Sequence, residues 1–520
     1  NSKKGKYTET RGEERQTYGD VMLNLSKTFK EKFSLDAHIG ASIKDNRFDE
    51  LSVYGPIAGA PNIFNVVNLD KSQKKTPKTG WHEQTQSFFY SLELGWKSQL
   101  FVTTTGRNDW ASQLANSPQK SFFYPSVGVS WLPSSTFNFP EKFNYLKIRA
   151  SWASVANPFP RELTIATHPY DDTISGWDDK SNYPIGQLYP ERTKTWELGF
   201  DARFLHGFTL SASWYRADTY NQTFNPNLSA SSGYSDIYIQ TGHVRNTGVE
   251  ASLGYDHQWK NWNWNSQFTF SWNKNKIIEL CKEWYNPITE ETITMNRLQI
   301  SKLGRAKFIL KEGGSMGDLY STTDLRRDDK GNIEIDEGGN VVVEDNLPDM
   351  KLGSVFPDYN LAWRNSVSWK NLNLGFLVTA RIGGIVNSLT QANMDLFGVS
   401  EATAAARDAG GALVNGRSLV NPETWYTAIA SQGGIPQYYT YSATNVRLQE
   451  LSLGYTIPRK WLHNICSITV SFVGRNLWMM YCKAPFDPEA VASTNNFYQG
   501  MDYFMMPSTR NLGFNINIKF

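Results

Sequence analysis

The chain has 520 residues, with 52 Lys and Arg against 50 Asp and Glu, and only three cysteines. So even a balance leaves no electrostatic footprint for nucleic acid. Cys281, Cys466 and Cys482 lack a C-x-x-C spacing, so they support neither a disulfide scaffold nor a structural zinc site, and leave open one loop bridge between Cys281 and Cys482. Mean hydropathy is −0.48, and no apolar run approaches the ~18 residues of a helical span. A closed barrel escapes that exclusion, because its strands are only half apolar.

Residues 1–17, NSKKGKYTETRGEERQT, carry charge without an apolar core, unlike a signal peptide. They read as the remnant of an extracellular loop. From residue 18 onward one pattern recurs: apolar and small polar residues alternate over about ten positions, the period of a strand with two unlike faces. It marks 18–29, 33–44, 85–96, 99–106, 122–132, 143–155, 193–205, 208–219 and 244–257. It continues through 261–273, 358–369, 371–383, 444–457, 465–476 and 511–520, about fifteen strands in all. In the stretch 261–273, Trp262, Trp264, Phe268, Phe270 and Trp272 share one face, opposite Asn and small hydroxyl residues. At the end of the chain Leu512, Phe514, Ile516, Ile518 and Phe520 do the same.

The connections alternate between short turns, such as FKEK at 29–32 and LHG near 205, and much longer loops. Outer-membrane barrels have this asymmetry, with tight turns in the periplasm and long loops outside. Trp96, Trp131, Trp262 and Trp369 sit beside short turns, where an interfacial aromatic girdle belongs. Orientation then fixes a parity: the chain starts outside and ends in the periplasm, whereas a complete bacterial barrel has an even strand count with both ends periplasmic. An odd number of strands is expected upstream. The segment 276–357, with KFILKEGG and GNIEID, is a candidate for one more barrel hairpin, which leaves the parity unchanged.

Several motifs carry a family resemblance. YPERTKTWELGFDARFLHGFTLSASWYRADTYNQ at 189–222, NTGVE at 246–250, YSATNVRLQELSLGYTIP at 441–458, VGRNLW at 473–478, FDPEA at 486–490 and the ending MPSTRNLGFNINIKF resemble the late barrel of SusC/RagA-type TonB-dependent transporters. The resemblance implies an all-β fold, the C-terminal part of a 22-stranded transmembrane antiparallel barrel whose plug and first strands are absent from this sequence. It also implies an outer-membrane address in a Gram-negative bacterium of the Bacteroidetes kind. The implied activity is TonB-dependent import of a large nutrient, an oligosaccharide or oligopeptide, under a SusD-like surface lipoprotein acting as a lid. Energy coupling and plug are implied by the resemblance alone.

Side chains suited to chemistry are few. The seven histidines show no metal spacing, and no nucleophile elbow or phosphate loop appears, so an enzyme is not expected and no cofactor is required. The acidic stretch around Asp324, Asp328, Asp329, Glu334, Asp336 and Glu337 leaves two readings, an oxygen-ligand calcium site or a solvated loop hairpin; its spacing misses the EF-hand pattern and favours the hairpin. Trp177, Tyr183, Trp425, Tyr438, Tyr439 and Tyr441 are candidates for stacking on sugar rings or gripping peptide, or for packing within the loops or against the lid. Glu197, Asp201, Arg203, Arg381 and Glu450 fall on inward positions, as a polar lumen wall or a plug-docking face. Ala-rich 400–411 reads as a short helix inside a long loop. Phe520 resembles the terminal aromatic read by the outer-membrane assembly machinery. Two alternatives remain beside the transporter, an outer-membrane β-barrel enzyme and a secreted all-β glycan-binding protein with a sandwich core.

Overall fold

The computed structural model describes residues 5–161, 163–164, 170–171, 176–177, 182–183, 188–224, 236–240, 242–286, 290–493, 495 and 498–520. Fifteen strands form one continuous antiparallel sheet, each beside its predecessor in the chain. They are β1 (Lys6–Phe29), β2 (Phe33–Pro56), β3 (Lys78–Trp96), β4 (Leu100–Ala111), β5 (Phe122–Trp131), β6 (Phe143–Asn157), β7 (Glu191–Phe204) and β8 (Phe208–Tyr220). Then follow β9 (His243–Trp259), β10 (Trp262–Glu279), β11 (Tyr359–Trp369), β12 (Leu372–Ile382), β13 (Asn445–Ile457), β14 (Ser467–Cys482) and β15 (Asn511–Lys519). Every alternating segment read from the sequence is a strand of this sheet.

The two faces differ as alternation requires. Trp196, Leu198, Leu253, Phe268 and Trp363 point outward and are exposed, while their polar neighbours bond to one another inside: Gln267 donates to Ser252 at 3.0 Å, and Ser211 to Asp201 at 2.6 Å. At the short-turn end Lys30 and Glu31, Lys97 and Ser98, and Leu205 and His206 all take left-handed φ, the backbone that matches the twist of tight hairpins. Phe29, Phe33, Trp96, Leu100 and Trp131 occupy one cross-strand row directly above these turns. Trp259, Trp262, Trp369 and Leu372 form another. The Trp262 and Trp369 rings stack with centroids 5.7 Å apart, so the four expected Trp residues fall in two cross-strand rows, each beside short turns.

Two boundaries need correction. The segment expected to be a loop remnant, 1–17, is strand from Lys6 onward, pairing residue by residue with β2 as far as Pro56. Its alternation is between polar residues, so a search for an apolar face misses it. With 24 residues each, β1 and β2 far exceed the about 9–11 residues that cross a bilayer and continue beyond it. The other correction concerns 276–357, which adds no further hairpin to the barrel sheet. Past β10 it builds a separate four-stranded sheet from Arg297–Leu303, Ala306–Lys311, Asp318–Ser321 and Met350–Ser354. Phe308, Ile309 and Leu310 are successive and each 0% exposed. A strand apolar on both faces suits a two-sided core, not a wall between lipid and water.

The long loops do not stand apart. One buried cluster joins Ala306, Phe308, Leu319 and Val355 to Leu389 and Met501, and a second joins Leu325 and Val341 to Ala392, Ile429, Ile435 and Tyr439. Ile385–Ser388 pairs in parallel with Met501–Asp502. Helices α1 (Leu389–Leu396), α2 (Glu401–Asp408) and α3 (Pro422–Ala430) complete this roof, each N-capped by a side chain, from Ser388, Ser400 and Asn421. The Ala-rich helix expected near 400–411 is α2. Loops 280–358, 383–444 and 483–510 thus share cores and form one platform over the long-loop end of the barrel.

Candidate functional site

Inward charges on the barrel wall are mostly neutralised in place. Arg149 on β6 lies 2.6 Å from Asp201 and 3.7 Å from Glu197, both on β7. Arg203 lies over the Tyr145 ring at 5.1 Å, and Glu450 accepts from Arg475 at 3.2 Å. Arg381, at the upper end of β12, donates to the Val355 carbonyl at 2.8 Å and leaves Nε without a partner. Alternation along β12 turns it inward, and Gly383 and Gly384 follow with φ of 81° and 79° where the strand ends. A Cβ on Gly383 would sit 2.1 Å from the Asp358 carboxylate, so only glycine fits.

Arg149 and Arg381 border a trough of about 560 Å³ along the inner wall. Its floor is Ser211, Ser252, Thr269, Ser271, Asn360 and Thr379 from five adjacent strands; Arg149 and Glu250 stand toward one side, Arg381 and Glu489 toward the other. Small hydroxyl and amide groups offer many weak hydrogen bonds to a polar solute and hold none of them rigidly. Of the lumen charges expected from sequence, Arg381 lines the trough, Glu197 and Asp201 hold its Arg149, and Arg203 and Glu450 lie apart from it.

Above the trough the FDPEA segment is locked to the wall. The Arg447 guanidinium, with a side chain 5% exposed, grips Asp487 through both Nη atoms at 2.8 and 3.1 Å and reaches Glu489 at 3.2 Å. Burial alone would raise the Asp487 carboxyl, but hydrogen bonds from Arg447, the Glu489 amide and Ser508 hold it below the usual range. Sequence reading used FDPEA only as a family signature and did not single out Arg447, Asp487 or Arg149. The inward position of Arg149 in the alternation of 143–155 was its available signal.

Four of the six loop aromatics pack within the loops. Tyr439 is 2% exposed and donates to Asp395 at 3.0 Å; burial, with Asp395 beside it, pushes its phenol up. Trp425 and Tyr438 pack on the same core and meet edge to face, centroids 5.8 Å apart. Tyr441 meets Phe486 edge-on at 5.6 Å, and burial pushes its phenol up to about 12. Ligand contact therefore does not suit Tyr439, whose ring the platform core encloses. Trp177 and Tyr183 fall in two-residue strands pairing with Tyr170–Asp171 and Asp236–Ile237; their side chains lie outside the described residues.

The acidic stretch is a hairpin pairing Asp324 with Glu344. Asp328 accepts from the Lys330 and Asn332 amides, and Asp336 from the Gly338 and Asn340 amides. The Cys281–Cys482 bridge is not formed; the Cys482 thiol donates to the carbonyls of Ala484 and Phe486. Phe520 follows the last paired residue, Lys519, and is 85% exposed. β1 pairs only with β2 and β15 only with β14, so each leaves one edge open among the described residues.

Comparison with known proteins agrees with this architecture. A TonB-dependent receptor, P3, of Formosa agariphila is 26% identical over 547 residues, covering 96% of this chain and 52% of the relative. SusC of Bacteroides thetaiotaomicron, also a TonB-dependent receptor, is 21% identical, covering 72% of this chain and 38% of its own length. The chain thus spans about half the length of the curated relatives it matches first. Among solved structures, the RagAB peptide transporter superposes with a TM-score of 0.76 at 17% identity, over 99% of this chain and 56% of that one; the RagAB importer in its "open-open" state gives 0.78. These structural likenesses show a shared fold. Residues 2–477 match the model of the TonB dependent receptor-like β-barrel family, and the chain belongs to that family of outer-membrane barrels.

Proposed function

We propose that this chain forms the greater part of the barrel wall of a TonB-dependent importer that takes up an oligopeptide or oligosaccharide through the outer membrane. The observation that carries the reading is the pairing of a wet, hydroxyl-lined inner wall with a platform of three loops sharing buried cores. A rigid platform does not open and close by itself, because separating its loops would expose the cores that hold them. A separate hinged partner would supply the gate, and a SusD-like surface lipoprotein is the partner this reading names. Cargo would pass the trough between Glu250 and Arg381, where small polar groups permit sliding. TonB would act through a plug, and the open edges of β1 and β15 would be paired by further strands of the same barrel. RagAB, a peptide transporter by name, is the likeness that favours peptide; SusC-type relatives leave sugar in play.

Growth of a deletion strain on defined glycans and on peptide mixtures tests the reading. Loss of growth on one class, restored by the intact gene, is the expected result, with a surface lipoprotein co-purifying with the barrel. Unchanged growth and uptake on every source would overturn it.

A further inference from the structure

On the outward face of β7 to β10, at the long-loop end, cations gather around a single carboxylate. Cross-strand register sets three rows in order. The lowest is Leu198, Trp214, Val249 and Trp272; the next is Trp196, Arg216, Thr247 and Lys274; the third is Lys194, Asp218, Arg245 and Lys276. Alternation places all of them on the face that carries the exposed Trp196, Leu198 and Trp214. Arg192 extends the patch on β7, two positions beyond Lys194, and donates to Ser154 at 2.9 Å. Six cations therefore stand in one sector, and Asp218 is the acid among them.

Asp218 organises the patch without neutralising it. It accepts from Arg216 at 2.9 Å, from Arg245 at 2.7 Å and from His243 at 2.5 Å, and its side chain is 9% exposed. One carboxylate thus fixes two guanidinium groups in place. Lys194, Lys274 and Lys276 have no ion pair among the described residues, and all three are exposed; the Lys194 ammonium lies over the Tyr220 ring at 5.2 Å. Glu279, opposite His243 in register, marks the upper limit of the sector.

The outward face of β1 and β2 at the same end behaves differently. There Arg11 pairs with Glu9, Arg15 with Glu13 and Arg47 with Asp49, each at 2.9 to 3.1 Å along its own strand. These three cations are matched one for one. Unmatched cations directly above an apolar band call for anions at the same height. Lys194 stands about ten residues above the aromatic level at Phe204, close to the length of strand that crosses a bilayer. The patch therefore lies where the acyl region gives way to headgroups on the extracellular side.

We infer that the sector formed by Lys194, Arg216, Arg245, Lys274 and Lys276 is a binding site for the phosphate groups of a phosphorylated lipid headgroup in the outer leaflet. The paired guanidinium groups supply fixed donors matched to phosphate oxygens, the three lysines supply charge that follows the ligand, and Trp196, Trp214 and Trp272 bound the acyl side. Continuity with the lipid-facing band selects a membrane lipid over a soluble anion. The inference rests on the outer-membrane placement and is independent of what the barrel carries.

The test uses the intact transporter purified from outer membranes, and a variant with Lys194→Gln, Lys274→Gln and Lys276→Gln together. The probes are bisphosphorylated lipid A in neutral detergent, its dephosphorylated form, and inorganic phosphate. Native mass spectrometry and thermal unfolding should show phosphorylated lipid retained by the wild type and bound about 100-fold more weakly by the triple variant, at roughly a fivefold factor for each of the three removed charges. A control variant, Arg11→Gln with Arg15→Gln and Arg47→Gln, should bind like the wild type, and all proteins should keep the heat-modifiable mobility of a folded barrel. Equal retention of phosphorylated and dephosphorylated lipid, or unchanged binding in the triple variant, would overturn the site. A shift by inorganic phosphate as large as that by lipid would overturn the lipid assignment.

Discussion

Arg447 and Asp487 join the barrel wall to its last long loop: a guanidinium at the top of β13 holds both carboxylate oxygens of a loop residue at 2.8 and 3.1 Å, both side chains less than a tenth exposed. Removing one partner of a buried pair leaves the other charge uncompensated, at about 3–5 kcal/mol. Arg447→Met should therefore release the 483–500 segment and speed amide exchange there, while strands β6 to β10 stay protected. Arg447→Met with Asp487→Leu together should recover part of the loss. Unchanged exchange in 483–500 would refute the latch.

Leu389 is 5% exposed and shares a core with residues from two other loops. Leu389→Ala should destabilise the platform by about 2–5 kcal/mol. Because the core is common, exchange should rise together at 306–310, at 319–321 and near Met501. A rise confined to 383–444 would mean that the loops move independently, and the argument for a separate lid would weaken.

Asp349 receives Arg297 in fork geometry at 2.6 and 2.8 Å and Lys311 at 2.9 Å. The Arg297 hydrogen bonds, against a smaller opposing effect of burial, hold its carboxyl well below the usual range. A depressed carboxylate contributes stability that is fully present above its unfolded value near ~3.9 and is lost as pH falls through the folded one. Protection of 297–311, corrected for intrinsic exchange, should hold from pH 7 to pH 4 and decline below. Asp349→Asn should lower it at neutral pH and flatten the acid step. The same acid step in the variant would assign it elsewhere.

Phe268 points to lipid and Gln267 to the lumen, where it bonds to Ser252. Phe268→Arg should cost about 2–4 kcal/mol near the bilayer midplane, and Gln267→Arg much less. Abundance in outer-membrane fractions reads the difference. Equal loss in both would mean two buried faces and a soluble sandwich.

Residues 1–520 expressed alone present two open edges, on β1 and β15. In lipid an unpaired edge leaves on the order of ten backbone groups unsatisfied, each costing several kcal/mol. Aggregated material is the expected outcome. A monodisperse, heat-modifiable barrel from these residues alone would sink this prediction.

Alternation by itself determined the strands of this protein. A wall with lipid outside and water inside writes its period into local sequence, so each apolar row such as Trp262 to Trp272 marked both a strand and its face. Turn length likewise set the polarity, because tight hairpins admit few residues. Tertiary structure decided what lies between residues far apart in the chain. Lys6–Thr17 is strand because β2 continues beside it, although its own sequence offers no apolar face. Phe308 and Tyr439 looked like a barrel strand and a ligand-stacking ring, yet each is core, since loops more than 60 residues apart supply the other side. Alternation turns both Arg381 and Arg149 inward and both line the trough; only the fold sets one near Glu489 and pairs the other with Asp201. Periodicity reports which face a side chain takes, and only the fold determines what it meets there.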